Sequence, residues 1–442
     1  MHALLDEAVR QADHAEVYTL ERTTLPVKFD AQGLSTIKTR QTAGAAVRVI
    51  HQGRLGYATT TDLAHPTDVV NAAVETAAFG DPSAFEFPRE TPTRLPGLFE
   101  PSIQSLSADR LVDLGEAIRT AVAAAGDDVD VEVSIQSVID RVRIANSNGL
   151  DAEEITSQLV IGIEAGRTRD DDIYLVGDHV IAGDPATVSP EAVTRRVTRL
   201  LELGKTVVPA PHGRLPVVFT PSGALAILLP LMIGLSGKAA LLGMSPLADK
   251  LGTAICDPRF TLSDDGQARG GARTASFDDE GTPSRRTPLI ERGTLAGFYY
   301  DVRTGQLAGV PSTGNGYKGS LIGERNFRPA TGASLSHVVV ESGDASQEDL
   351  IRGIQRGLLV DSVLGLGQGN LYAGDFSNNV SAAFLVENGR IVGRVKNAMI
   401  AGNSYELLRE HLLGVGSDAA WVYGRVRTPS IVLGDVKIAS KG

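Results

Sequence analysis

Over the first twelve residues Leu4, Leu5, Ala8, Val9 and Ala12 fall on one side of a 3.6-residue period, which predicts a short amphipathic helix. Runs with strand patterning follow: AEVYTLER from Ala15, LPVKFDAQG from Leu25, LSTIKTRQ from Leu34, AAVRVIHQ from Ala45 and RLGYATTT from Arg54. The separators AQG, TAG and HQG are turn-forming, so antiparallel hairpins are expected. A helix is predicted from Pro66 to Phe79, with Pro at its start and Gly80 after its end. After a proline-rich passage (Pro82 to Pro101), another is predicted from a Ser107 N-cap to Ala125. From Val129 to Ala182 strand patterning returns, with Val129, Val131, Val133 and Ile135 alternating against Asp130, Glu132 and Ser134. Ser189 opens a helix that stops at Gly204.

The segment KTVVPAPHGRLP carries three prolines and places a domain boundary near residue 206, giving domains 1–205 and 206–442. The second opens with a buried strand, LPVVFTP, and a helical run from Ser222 that Pro230 is expected to interrupt. Strand-like runs TPLIERGTLAGFYYD and SHVVVESG come next, then a helix from Ser346 to Gly357. The hairpin AAFLVENGRIVGRV turns at Asn388–Gly389, a pair suited to positive φ at both central residues. A helix from Tyr405 to Leu412 and a last strand, SIVLGDVKI, complete the pattern. Helices do not alternate regularly with strands, so the expected class is α+β: an N-terminal hairpin-rich sheet with helices and a C-terminal strand-rich domain.

Composition sharpens this picture. The chain has 442 residues, 42% hydrophobic and 21% charged, enough apolar content for sizeable cores. Its 48 glycines suit a strand-rich chain with many tight connections. A net charge of −11 argues against direct binding to nucleic acid or to an anionic membrane. The basic pairs Arg195–Arg196 and Arg285–Arg286 read as solvated faces or ion-pair partners. The longest apolar stretch, Gly223 to Leu235, is too short to span a bilayer. A single cysteine, Cys256, excludes an internal disulfide, and with an N-terminus unlike a signal peptide it points to the cytoplasm.

Catalytic chemistry is hard to place. The nearest of the eight histidines lie twelve residues apart, so no pair shares a helix face as a zinc helix requires. Glu410–His411 lacks a second histidine, and His411 reads as a residue complementing a helix C-terminus. No G-x-S-x-G elbow occurs. Asp257 beside Cys256 would raise its pKa, so a small core hydrophobe is the expected role. Among the acidic clusters, Asp170–Asp171–Asp172 reads as a solvated turn and Asp264–Asp265 as a short acidic pair, without the ladder of a calcium loop. Asp278–Asp279–Glu280 is embedded in a more distinctive context.

That context, SFDDEGTPSRRTPLIERGTLAGFYYDVRTGQLAGVPSTGNGYK (276–318), resembles a signature of the TldD/PmbA family. GLLVDSVLGLGQGNLYAGDFSNNVSAAFLVENGRIVGRVKNAMIAGN, the terminal TPSIVLGDVKI and the N-terminal AGAAVRVIHQGRLGYATTTDL are similar to further family segments, in the right order. The resemblance implies one of two subunit kinds. TldD-like chains carry H-E-x-x-x-H on a helix and a C-terminal cysteine, and form a zinc peptidase site. PmbA-like (TldE) chains lack both and pair with them.

Here the run where the zinc helix would fall reads SGALAILLPLMIGLSGKAALLG, and the closing GVGSDAAWVYGRVRTP has no cysteine. The resemblance thus implies a PmbA/TldE-like subunit without catalytic residues, metal or cofactor of its own. Zinc would sit in a TldD-like partner, with pairing to itself as the other option, and the substrate would be unfolded or small peptides, bound through exposed strand edges. Two other readings stay open: a self-sufficient homo-oligomeric metal-dependent peptidase, and a peptide-binding or assembly protein without a peptidase partner. The residues singled out are Asp278, Asp279, Glu280, Arg285, Arg286, Thr313, Gly314 and Asn315. They would either position peptide or a subunit interface, or shape turns, with Asp279 and Glu280 pairing to Arg285 or Arg286.

Overall fold

A computed structural model describes residues 1–83, 85–169, 172–319 and 323–440. The first helix, α1 (His2–Gln11), buries Leu4 and Ala8 and leaves Val9 outside. The first two strand runs join into one long strand, β1 (His14–Asp30), followed by β2 (Gly33–Ile37), β3 (Arg40–His51) and β4 (Arg54–Thr60). The turn expected at TAG is therefore absent: Thr42, Ala43 and Gly44 lie within β3 and pair with β1. Gly44 is there for another reason. A Cβ on it would sit 2.2 Å from Cζ of Phe327, so the missing side chain makes room for a ring from the far half of the sequence.

Helices α2 (Pro66–Ala77), α3 (Pro101–Gln104) and α4 (Ala108–Ala123) lead into β5 (Asp130–Asn146), β6 (Asp151–Arg169), β7 (Asp172–Ala182) and α5 (Pro190–Leu203). Ser107 and Ser189 cap α4 and α5, accepting from the N–H of Arg110 (3.3 Å) and Ala192 (3.2 Å). All these strands form one antiparallel sheet, ordered β4-β3-β1-β5-β6-β7 with β2 beside β1. Period-two alternation divides its faces. Val131, Val133 and Ile135 of β5, with Leu159, Ile161 and Ile163 of β6, bury under α4 and α5. At the other end, α1 and α2 cover Val17, Val47 and Val49.

The second half runs through β8 (Val207–Val208), β9 (Gly213–Phe219), α6 (Leu225–Gly234), α7 (Gly237–Leu241), β10 (Leu262–Asp265), β11 (Arg286–Glu291), β12 (Thr294–Leu295) and α8 (Val302–Ala308). It continues with β13 (Gly316–Lys318), β14 (Thr331–Ala333), β15 (Val338–Val340), α9 (Gln347–Arg352), β16 (Arg356–Leu364), β17 (Asp375–Glu387) and β18 (Arg390–Val395). The last elements are β19 (Ala398–Asn403), α10 (Ser404–Glu410), β20 (Leu412–Val415), β21 (Ala420–Val422), β22 (Val426–Thr428) and β23 (Ile431–Ser440). Strands β16-β9-β23-β19-β17 lie side by side, and β17 also pairs with β16, so five strands close into a barrel. A second sheet, β12-β11-β10-β15-β22-β21, lies beyond it.

Two helices depart from expectation. The helix from Ser346 stops at Arg352 rather than Gly357, because Arg356 already enters the barrel between β9 and β17. Pro230 does not break α6, which runs through it. A proline removes one helical hydrogen bond, and dense burial of Leu225, Ile227, Leu228 and Leu231 around it outweighs that loss. The Asn388–Gly389 turn has positive φ at both residues (49° and 73°), as the pair requires. The two halves also share apolar packing: the core under α4 and α5 includes Val218, Leu359, Phe384 and Val432 from the barrel strands.

Candidate functional site

The acidic triplet lies where the two halves meet, and all three side chains are buried. Asp278 shapes its own turn: Oδ1 accepts from the N–H groups of Glu280 (2.9 Å) and Thr282 (2.9 Å), and Oδ2 from Gly316 (2.8 Å). Burial and the neighbouring Glu280 raise its proton affinity against those three donors. Asp279 accepts from Lys318 N–H (2.9 Å) and faces Arg325 at 3.7 Å. Glu280 reaches across the junction. Arg48 of β3 donates to its Oε1 (2.6 Å) and, through the other nitrogen, to Glu16 of β1 (2.9 Å). Val302 N–H caps Glu280 Oε2 at 2.7 Å, and Gly316 is a glycine because a Cβ would meet that oxygen at 2.1 Å. The Arg48 guanidinium also lies against Phe85 and Phe87, 5.3 and 5.1 Å from their ring centres.

The pairing expected within the triplet's own hairpin is thus corrected. Arg285 is exposed and donates to Ser312 O, while exposed Arg286 bonds Ser263 Oγ (3.1 Å) and Glu341 (2.6 Å). Thr313 accepts from Tyr300 N–H (2.7 Å) and donates to Asn315 Oδ1 (2.7 Å). Gly314 has φ +79°, but Asn315 does not share it; Asn315 is buried and donates to Asp264 Oδ2 (2.7 Å) and Ser334 O (3.1 Å). Asp264 also accepts from Ser336 and His337, and burial pushes its carboxyl up to about 6. Lys318, buried between the rings of Tyr18 and Tyr57, is pressed down by burial to about 8. Burial leaves Asp278, Asp279, Glu280 and Asn315 no face for a peptide; of the singled-out residues only Arg285 and Arg286 are exposed.

Open surface lies elsewhere, on the face of β5–β7 opposite α4 and α5. Three cross-strand rows line it: Glu132–Glu164–Gly177, Ser134–Gly162–His179 and Gln136–Val160–Ile181. Against the far wall, made by Asp361, Ser362, Val422 and Tyr423, this face bounds a trough of about 830 Å³. Arg196 ties its edge together through Asp361 (2.7 Å) and Asp178 (3.4 Å), which makes it an ion-pair partner. Of the acidic triplet in the adjoining turn, Asp170 and Asp171 lie outside the described residues, and Asp172 pairs with buried Arg394. No sequence signal marked the trough, because its floor consists of the polar halves of alternating strands, which look like any solvated sheet face.

Helix α6 fills the position implied for a zinc helix, and its side chains are Leu, Ala, Ile, Pro and Met. Cys256 is packed in the same core, where burial first and Asp257 second push its thiol up to about 12. One group among the described residues brings three ligating atoms within 4.8 Å of one another: Glu406, Glu410 and His411, at the outer end of α10. The acids are exposed, and Arg409 pairs with Glu410. Among the described residues no helix is long and apolar enough to cross a membrane.

The sequence matches three family models in order: PmbA/TldA metallopeptidase domain 1 over residues 15–79, the central domain over 101–203 and the C-terminal domain over 212–440. The chain belongs to the PmbA/TldD family. Family members similar along the whole chain include the metalloprotease PmbA of Escherichia coli O157:H7, 25% identical over 99% of this chain and 94% of that one. The crystal structure of TldE from Thermococcus kodakarensis superposes with a TM-score of 0.88 at 25% identity, covering 99% of both chains. A metalloprotease TldD homolog of Haemophilus influenzae is 28% identical over 70% of this chain but only 65% of its own length. Against a Buchnera aphidicola TldD homolog, 30% identical, the match spans 45% of that protein.

Proposed function

We propose that this chain is the non-catalytic, PmbA/TldE-like subunit of a complex whose TldD-like partner holds zinc and cleaves unfolded or small peptides. The observation that carries the reading is α6. A zinc peptidase helix needs two imidazoles on one face and a carboxylate to polarise water. Residues Leu225 to Gly234 offer none of these and are packed against the barrel. Zinc does not fit this helix, and the buried, protonated Cys256 does not supply a thiolate ligand. End-to-end similarity to PmbA and TldE, beside partial matches to TldD homologs, points the same way.

What this chain brings to the complex is a rigid wall and a peptide trough. The exposed floor of β5–β7 offers alternating polar side chains and small residues (Ser134, Gly162, Gly177), leaving room for an extended backbone. Among the described residues, the metal-dependent homo-oligomer has one feature in its favour, the group of Glu406, Glu410 and His411.

The test is purification of the chain alone and together with a TldD-like protein from the same organism, with metal analysis and a peptidase assay on each. Zinc and cleavage should follow the partner, and the two chains should co-purify. Stoichiometric zinc and zinc-dependent cleavage in the homogeneous chain would overturn the proposal.

A further inference from the structure

At His179 and Tyr423, whose rings lie 5.8 Å apart, the trough narrows into a second cavity of about 140 Å³ on the same face of β5–β7. Arg22, Arg273, Arg325 and Arg425 line it, against two acids, Asp140 and Glu324. Both acids are engaged by Arg22: Asp140 at 2.7 Å through two nitrogens, Glu324 at 3.1 Å. Arg325 faces Asp279 at 3.7 Å. Arg425, only 6% exposed, donates one nitrogen to Gly323 O (3.0 Å), and its Nη1 is buried with no partner among the described residues. Nδ1 of His179 is likewise buried and unpartnered.

A buried guanidinium nitrogen without an acceptor is costly, and crowding it with further arginines adds repulsion. Burial, then Arg273 and Arg325, press Arg425 down to about 8. An anion seated among these groups would relieve both penalties. At the trough's other end the charge is reversed. Glu132 and Glu164 are direct cross-strand partners, an arrangement of like charges that is unfavourable by itself, and Asp30 lies at the same end, with Lys28 one row further in as a cation against these three acids. From the Glu132 row to the Val138 row is six residues along β5, roughly 20 Å of strand. That length matches an extended peptide of about six residues.

We propose that the arginine pocket takes the C-terminal carboxylate of a peptide lying extended in the trough, with the acidic row setting its direction. A free small carboxylate has the same chemistry, but only a peptide also uses the trough and the reversed charge at its far end. The inference rests on the peptide-binding part of the function proposed above.

It is tested by calorimetric titration of the full chain with two heptapeptides of one sequence, one ending in a carboxylate and the other in a carboxamide. The free acid should bind about tenfold more tightly, the worth of one charge-assisted hydrogen bond. Arg425→Met should abolish the difference by weakening binding of the acid peptide to the level of the amide. Sodium acetate should weaken binding of the acid peptide only. Equal affinities for the two peptides in the unaltered chain would overturn the carboxylate site while leaving peptide binding intact, and this comparison does not depend on the variant folding. Binding of acetate with no discrimination between the peptides would overturn it in favour of a free-anion site. Binding of neither peptide would overturn it together with the peptide reading.

Discussion

Replacing Arg48 with methionine removes the guanidinium that bridges two buried carboxylates, Glu16 and Glu280, which it holds at 2.9 and 2.6 Å. Breaking a buried ion pair by deleting one partner costs about 3–5 kcal/mol, because the charge left behind has no water. Methionine preserves much of the contact with Phe85 and Phe87, so the loss is mainly electrostatic. The expected destabilisation of Arg48→Met is about 4 kcal/mol near neutral pH.

The sign of its pH dependence follows from Glu280, whose folded-state pKa is already raised by burial and rises further without Arg48. A raised carboxyl favours the folded state at low pH, and that contribution is lost as pH rises through the folded pKa. The penalty should therefore shrink toward about pH 5 and grow toward about pH 8, by roughly 1.4 kcal/mol per unit of further shift. Urea unfolding of the full chain at both pH values measures this. The triple variant Arg48→Met, Glu16→Gln, Glu280→Gln should regain at least half of the loss, since no buried charge is stranded. A loss under about 1 kcal/mol, or one that neither varies with pH nor yields to the two glutamines, would refute the reasoning.

Gly44→Ala places a methyl 2.2 Å from the Phe327 ring and should cost about 1–3 kcal/mol, read as a lowered Tm and partly restored by Phe327→Leu. Cys256 should resist iodoacetamide in the folded chain at about pH 8 and react fully in urea, since its thiol is buried and pushed up to about 12; rapid native labelling would contradict its placement. The Asp264 carboxyl, raised to about 6 from 3.8, contributes stability that is present below about pH 4 and lost as pH rises through 6. Asp264→Asn should flatten that part of the stability profile in urea titrations across this window. It should also cost about 2 kcal/mol, because an amide nitrogen would face the donors of Asn315, Ser336 and His337.

Local signals carried much of the fold. Ser107 and Ser189 cap their helices, Asn388–Gly389 turns its hairpin, and the alternation from Val129 to Ile135 marks a strand with one buried face. The errors arose where a residue answers to a distant one. Gly44 reads as a turn residue because turns are where glycine usually sits, whereas its reason is Phe327. Residues 353–357 look helical by period, but the helix is capped at Gly353 and the barrel claims the chain from Arg356 for β16. The acidic triplet is conspicuous in the sequence, yet its partners Arg48 and Arg325 lie outside its hairpin and cannot be read from spacing. That α6 carries no histidine, glutamate or cysteine was legible, because it depends only on which side chains the helix holds.

The apolar core shared by α4, α5 and the barrel strands has a consequence for the proposed entry of peptide into the trough. Its floor, and the Asp361–Ser362 side of its far wall, belong to strands that also contribute to that core. Spreading the walls would pull Val218 or Phe384 away from Val197 and Leu201 and admit water to a dry interface. The gap therefore acts as a gauge of fixed width. On the proposed function, an unfolded chain would pass as a single thread, whereas a folded domain or a paired hairpin would be turned away by thickness alone, whatever its sequence.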